Sequence, residues 1–540
     1  MRASTLAVLL CLAASPALAK PPRLTLLISV DGFSSDVLQR GRPRLKAGFA
    51  TLLTQGAFFP TARYQAAECV TAAGHATLST GATPSRHGIV GNRLYNRATG
   101  KVEPTFADPA HPALDAPLNN DDVSPARLVA ETLADRVRLS TWRRGKAVSV
   151  SGKGRSAIPL AGKLGDAWWF QETIGRFVTS TWYKKETPAW VKTWNDKKIP
   201  DSYHAKTWDL LAPAKEYFGD DDRPFESDWY GMGRTFPHPL NGGLPAPGGQ
   251  SYSALASSPM MNDVLVDFAK AAIDGEQLGK DDVPDLLAVS FSPFDRTYHL
   301  YGPYSWEMQD QLVRLDKSIG DLIAAAEKAA GGRQNLVVVL AADHGGAAVP
   351  EEWAAIGLEG VRVPPALLQK GLNDALEAKF KVPALVAAIE ETDIYLDLKA
   401  VADKKLDAAA VRKATAEWLA KQPDVQVALS KEDLENGAAG PYVDALRAEF
   451  FPERSGDVLM VMRPFHVLES EPRGTSHGTP YTYDTDVPLM LLGRGVKPGY
   501  YPNIVYAVDI ATTTAALMEM GLPAMAEGRV LSEALQMSAR

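Results

Sequence analysis

The chain has 540 residues, 46% of them hydrophobic and 22% charged, an ordinary globular composition that excludes a disordered, collagen-like or low-complexity protein. The formal charge of −7 provides no basic field to hold a nucleic acid, so any phosphate chemistry must come from a local site. Two cysteines cannot build a disulfide framework.

In chain order, Arg2, the apolar run Leu6 to Ala14 and the small-residue triplet Ala17-Leu18-Ala19 have the layout of an export signal cut after Ala19. Leu10 is too large for the residue that precedes a lipoprotein cysteine, so Cys11 is read as part of the signal. The mature chain, 20–540, then carries Cys69 alone and is directed to the periplasm or the exterior of a bacterial cell. No later segment has the length and apolarity of a transmembrane helix. Leu24 to Val30 is a continuous apolar, β-rich run ending at Asp31-Gly32, and Lys146 to Val150, Leu286 to Phe291 and Leu336 to Ala341 repeat the pattern. Runs apolar on both faces suit strands inside a parallel sheet. Helical spacing appears between them at Ala126 to Leu139 and Trp306 to Ala330, and again near Val508 to Met520, before Gly521 and Pro523. This alternation predicts an α/β fold, a mostly parallel central sheet with helices on both faces.

Two stretches break the rhythm. Residues 165 to about 260 hold seven of the eleven tryptophans with little periodicity, and read as an irregular insertion packed by aromatics. Residues 350 to about 465 mix two helices with short strands (Ile394 to Leu396, Val425 to Leu429, Val458 to Met462), and read as a small α+β insertion. One elaborated catalytic domain therefore replaces the three that length alone suggests.

Chemistry-bearing residues collect where strands end, the place where open α/β sheets bind ligands. Asp31 closes the first strand. Asp295 follows Leu286 to Phe291 and precedes His299 by four residues, one helical turn. Asp343-His344 closes Leu336 to Ala341, and His477 lies in Thr475-Ser476-His477-Gly478. Three aspartates and three histidines form borderline ligand sets that suit zinc. Thr71 opens an apparent helix in Cys69-Val70-Thr71-Ala72-Ala73-Gly74-His75, where unpaired amides and the helix dipole favour an anion. By its local sequence alone, Thr71 reads first as a helix cap.

The order of these motifs resembles the alkaline phosphatase superfamily over nearly the whole mature chain. Thr71, His75, Thr80 and Gly81, followed by His87-Gly88-Ile89-Val90-Gly91-Asn92, resemble its threonine-nucleophile branch. That branch is shared by nucleotide pyrophosphatase/phosphodiesterases and phosphate-irrepressible bacterial alkaline phosphatases. The resemblance implies two zinc ions, one held by Asp31, Asp343 and His344 with Thr71 as reacting ligand, the other by Asp295, His299 and His477. It also implies that Asn92 donates to a phosphoryl oxygen, that a covalent phosphothreonine forms, and that the pH optimum is alkaline.

Ser151-Gly152-Lys153-Gly154-Arg155 decides between branches. A monoester dianion offers one more oxygen and one more charge than a diester, and two cations one residue apart can grip both. The Lys153/Arg155 pair resembles that of the monoesterases, whose small-molecule phosphate monoester substrates the chain is expected to share. A phosphodiesterase is the enzymatic alternative, and a catalytically dead zinc-binding protein the non-enzymatic one. A sulfatase is rejected because Cys69-Val70-Thr71-Ala72-Ala73 lacks the Pro and Arg of a formylglycine motif. Asp220-Asp221-Asp222 is a candidate calcium site read in preference as a solvated turn, His75 as a structural histidine, and Cys69 as core.

Overall fold

The computed structural model describes residues 20–117 and 122–536; the expected signal, 1–19, lies outside them. At the centre is a ten-stranded sheet. Its strands run in the order Gly499–Tyr500, Ala57–Arg63, Asp486–Gly493, Leu336–Ala341, Leu24–Val30, Asp285–Phe291, Ala147–Ser151, Asp166–Gln171 and Arg176–Val178, with Val505–Tyr506 also pairing with Ala57–Arg63. The middle of the sheet is parallel, from Leu336–Ala341 across to Asp166–Gln171. Asp486–Gly493 turns the sheet antiparallel on one side, and Arg176–Val178 does so on the other.

The three strands flanking the centre are buried at every residue, which requires cover on both faces. The helix Trp306–Ala330 packs with Gly48–Gln55 and Met260–Gly275 in one layer. Thr71–Thr80 packs with Gly154–Ala161 and Val508–Leu517 in the other. The long helix has the boundaries its periodicity predicts: Ser305 caps its start, and Gly331, in the left-handed conformation, ends it. Among the described residues no helix is long and apolar enough to cross a membrane.

Three sequence expectations are corrected. The helix expected from Ala126 starts at Leu133, because Thr132 and Asp135 form a reciprocal capping box there. The final helix ends at Leu517, short of Met520. The stretch beginning at 165 is not irregular throughout, since Asp166–Gln171 and Arg176–Val178 are the last two strands of the central sheet. Their tryptophans obscured the alternation because Trp168 and Trp169 are both buried, one on each face. Beyond Val178 the segment is held by aromatic packing: Trp190 and Trp194 meet Phe268 at ring distances of 5.3 and 5.1 Å.

Residues 361–468 build a separate layer. Its four-stranded sheet runs Val386–Glu390, Asp393–Leu396, Val458–Met462, Val425–Ser430, with every neighbouring pair antiparallel. The helices Pro365–Phe380 and Ala408–Leu419 cover it, closing a core of Leu372, Leu376, Val411, Leu419 and Met460 distinct from the main one.

Candidate active site

Four adjacent parallel strands deliver the site. Leu336–Ala341 leads to Asp343 and His344, Leu24–Val30 to Asp31, Asp285–Phe291 to Asp295, and Ala147–Ser151 to Lys153. Asp295 and His299 project from one helix, Pro293–Tyr301, and His477 arrives from the late loop. The side chains gather into two groups, Asp31 with Asp343 and His344, and Asp295 with His299 and His477, each with its ligand atoms within 4.8 Å of one another. Gly32 lies in the left-handed region at φ 74°, where it donates to Asp343 Oδ1 at 3.1 Å, and a Cβ there would crowd Asp295.

The donor chemistry fits a cation at each group. The Nδ1 atoms of His344, His299 and His477 each lie 2.8 Å from a backbone carbonyl, those of Gly345, Thr475 and Cys69. A carbonyl only accepts, so each Nδ1 carries a proton and each Nε2 is the atom turned inward, the arrangement that orients a metal-ligating imidazole. Oδ1 of Asp31 and Oδ1 of Asp295 are buried without a hydrogen-bond partner. Orphaned carboxylate oxygens are costly to bury unless a cation faces them.

Electrostatics agree. Burial opposes charge on Asp31, but the Lys153 ammonium overrides it and holds the carboxyl below the usual range. Burial likewise opposes charge on Asp295, and His299 and Lys153 hold it well below that range. Burial disfavours a charged His344, yet Asp343 and Asp31 raise its pKa to about 10, the signature of a strongly negative pocket. Burial and the neighbouring His344 push His477 well below the ordinary imidazole value.

Thr71 is the first residue of its helix and is fully buried. Val70, not Thr71, occupies the capping position, so the hydroxyl is free of that task. Its Oγ1 lies 3.5 Å from His344 Nε2. Asn92 accepts the Ala72 N–H on Oδ1 at 3.0 Å, which leaves its amide nitrogen as the donor. Lys153 Nζ bridges the groups, 2.9 Å from Asp31 Oδ2 and 2.5 Å from Asp295 Oδ2. A cavity of about 230 Å³ brings Thr71, Asn92 and Arg155 together with His299 and His477, and opens beside a larger one of about 670 Å³. All ten residues singled out from the sequence converge here.

A model for type I phosphodiesterase / nucleotide pyrophosphatase matches residues 25–483. The chain belongs to that family. Within it, the chain is 31% identical to alkaline phosphatase PafA of Elizabethkingia meningoseptica over 532 residues, covering 95% of this chain and 94% of that protein. It is also 31% identical to alkaline phosphatase PhoV of Synechococcus elongatus, covering 95% and 93%. The crystal structure of wild-type PafA superposes with a TM-score of 0.88 at 30% identity, covering 96% of this chain and 99% of that one.

Around this phosphodiesterase-family site lie further groups, some of them named from the sequence and one, Asp484, not signalled by any residue pattern. His75, fully buried, sets Nδ1 3.0 Å from Asp343 Oδ2 and 2.8 Å from the Thr71 carbonyl, while Nε2 meets Ser290 Oγ at 2.8 Å. It thus supports both the Thr71 helix and Asp343. Asp484 accepts the N–H groups of Gly478 and Thr479 and the Thr479 hydroxyl, shaping the loop behind His477. The Cys69 thiol is buried, and burial raises its pKa well above 9, so it is unreactive. In the aspartate run, Asp222 pairs with Arg234 at 2.8 Å and Asp221 accepts the Phe236 N–H; neither belongs to a converging ligand group among the described residues.

Proposed function

We propose that the protein is an exported, zinc-dependent alkaline phosphatase that hydrolyses small-molecule phosphate monoesters through a phosphothreonine at Thr71. The reading is carried by one cavity that Thr71, Asn92 and Arg155 line together with His299 and His477, beside two carboxylate–imidazole groups. The alkaline phosphatases PafA and PhoV among its relatives support it, and the Lys153/Arg155 pair favours a monoester over a diester.

Asp31, Asp343 and His344 would hold one zinc and Asp295, His299 and His477 the other. When bound, zinc supplies Lewis acidity and offsets charge developing on oxygen. The chain does the positioning. Thr71 Oγ1, fixed at the start of a buried helix, forms the new bond to phosphorus as the bond to the leaving oxygen breaks, and water then cleaves the phosphothreonine to release inorganic phosphate. Asn92 Nδ2, Lys153 and the Arg155 fork donate to the non-bridging oxygens as charge spreads over them. His75 keeps the Thr71 turn and Asp343 in register.

The test pairs metal analysis with kinetics of Thr71→Ala. About two zinc ions per chain and a rate loss of several powers of ten are expected. Near-wild-type hydrolysis by that variant would remove Thr71 from the mechanism. A preference for an aryl diester over an aryl monoester of 100-fold or more, on the order of 3 kcal/mol in transition-state stabilisation, would replace the monoesterase reading with a diesterase one.

A further inference from the structure

The inserted layer 361–468 lines the smaller cavity with Pro365, Met462, His466 and Leu468, and it meets Asn92 at the two-residue turn Glu391–Thr392 between Val386–Glu390 and Asp393–Leu396. Glu391 adopts φ 51°, a left-handed conformation that a long side chain does not favour and that short hairpins normally give to Asn or Gly. A locally poor residue held at a tip needs a reason outside the hairpin. Its side chain supplies one. The Glu391 carboxylate accepts the Asn92 N–H, at 3.2 Å to Oε2 and 3.4 Å to Oε1, and lines both cavities with Asn92 and Arg155. Thr392 donates to Glu68 Oε2 at 2.9 Å, in the segment that leads into Thr71.

Asn92 is therefore held at three atoms. Its N–H goes to Glu391, its carbonyl accepts from Thr105 N at 3.0 Å, and its Oδ1 accepts from Ala72 N at 3.0 Å. Only the Nδ2 donors remain for a ligand. Gly91, just before it, passes so close that a Cβ would lie 2.4 Å from Glu391 Oε2. Resting on the phosphatase reading above, we infer that Glu391 is a positioning residue: the inserted subdomain uses it to aim the Asn92 amide at the phosphoryl group. The ligand-facing donor belongs to the main domain, and the insertion shares in orienting it with Ala72 and Thr105.

The test is a double-mutant cycle on zinc-loaded full-length protein, using kcat/KM for an aryl phosphate monoester. Asn92→Ala removes the donor and should cost about 10²- to 10³-fold. Glu391→Ala should cost about 10- to 100-fold, the scale of a misplaced catalytic group. Adding Glu391→Ala to Asn92→Ala should cost less than about 2-fold more, because nothing is left to aim. Glu391→Gln, which keeps an acceptor for the Asn92 N–H, should recover most of the loss. A Glu391→Ala loss that persists in full in the Asn92→Ala background would overturn the inference, as would a Glu391→Ala rate within about 2-fold of wild type. Should Glu391→Ala fail to fold, Thr392→Val in both backgrounds carries the same cycle; losses that add would overturn it. Wild-type protein that turns over no monoester would instead refute the phosphatase reading, a separate and recognisable result.

Discussion

Replacing Arg155 with alanine should damage monoester hydrolysis far more than diester hydrolysis. Arg155 stands in the first turn of Gly154–Ala161, faces both cavities, and keeps Nε buried without a partner, whereas Lys153 is held by two carboxylates. At an effective dielectric of about 20, unit charges about 4 Å apart attract by about 4 kcal/mol. Arg155 is partly exposed, so screening leaves about half of that for each charge on the ligand. A monoester dianion near two charges then loses about 3–4 kcal/mol, on the order of 10²- to 10³-fold in kcat/KM, and a diester about 2 kcal/mol, roughly 30-fold. The ratio of the two efficiencies should fall by about 10-fold, read with an aryl phosphate and a bis-aryl phosphate at saturating zinc. Arg155→Lys, which keeps the charge and loses the fork, should fall between. Equal losses on both substrates, or a monoester loss below about 5-fold, would show that Arg155 does not read the extra charge.

Chelation should lower thermal stability as well as activity, by about 4 kcal/mol for each site held at 1,000 times its dissociation constant; an unchanged melting temperature on calorimetry would argue against metal at the two groups. Gly74→Ala would put a Cβ 2.2 Å from the Asp343 carbonyl, so it should destabilise by about 1–3 kcal/mol and lower zinc content; wild-type melting and metal content would contradict that packing. Burial, aided by Arg454, depresses His87 to about 3. The unfolded imidazole, near 6.5, takes its proton first, so this group's contribution is present above pH 6.5 and lost toward pH 3, by about 1.4 kcal/mol per unit. Urea denaturation at pH 7 and pH 5 should show a shallower loss for His87→Gln than for wild type; parallel losses would exclude His87 as a source.

The metal-type residues were readable because strand ends announce themselves. An apolar run that stops at Asp-Gly or Asp-His places those side chains on the ligand-binding edge, as two neighbouring strands do at Asp31-Gly32 and Asp343-His344. Asp295 and His299 were readable as one helical turn. The partners that orient them were not, because the carbonyls of Gly345, Thr475 and Cys69 belong to every residue and leave no mark in side-chain chemistry. Glu391 was hidden for another reason: it is distant in sequence from Asn92 and only the fold of the insertion joins them. The strand Asp166–Gln171 escapes the sequence pattern because a strand buried by aromatics on both faces loses its alternation. His75 read as structural, and its contact with Asp343 gives that structure a purpose.

The four strands that end at Asp343, Asp31, Asp295 and Lys153 are hydrogen-bonded neighbours. Backbone pairing fixes such neighbours about 4.8 Å apart, so the spacing of the two carboxylate–imidazole groups is set by the stiffest part of the molecule. The large cavity is lined differently, by Glu172, Trp229, Tyr230 and Arg473, which lie outside the strands of the central sheet. Drift at those positions can widen, narrow or recharge the cavity while the reactive centre keeps its dimensions. Substrate range is therefore free to diverge among relatives long before the chemistry does.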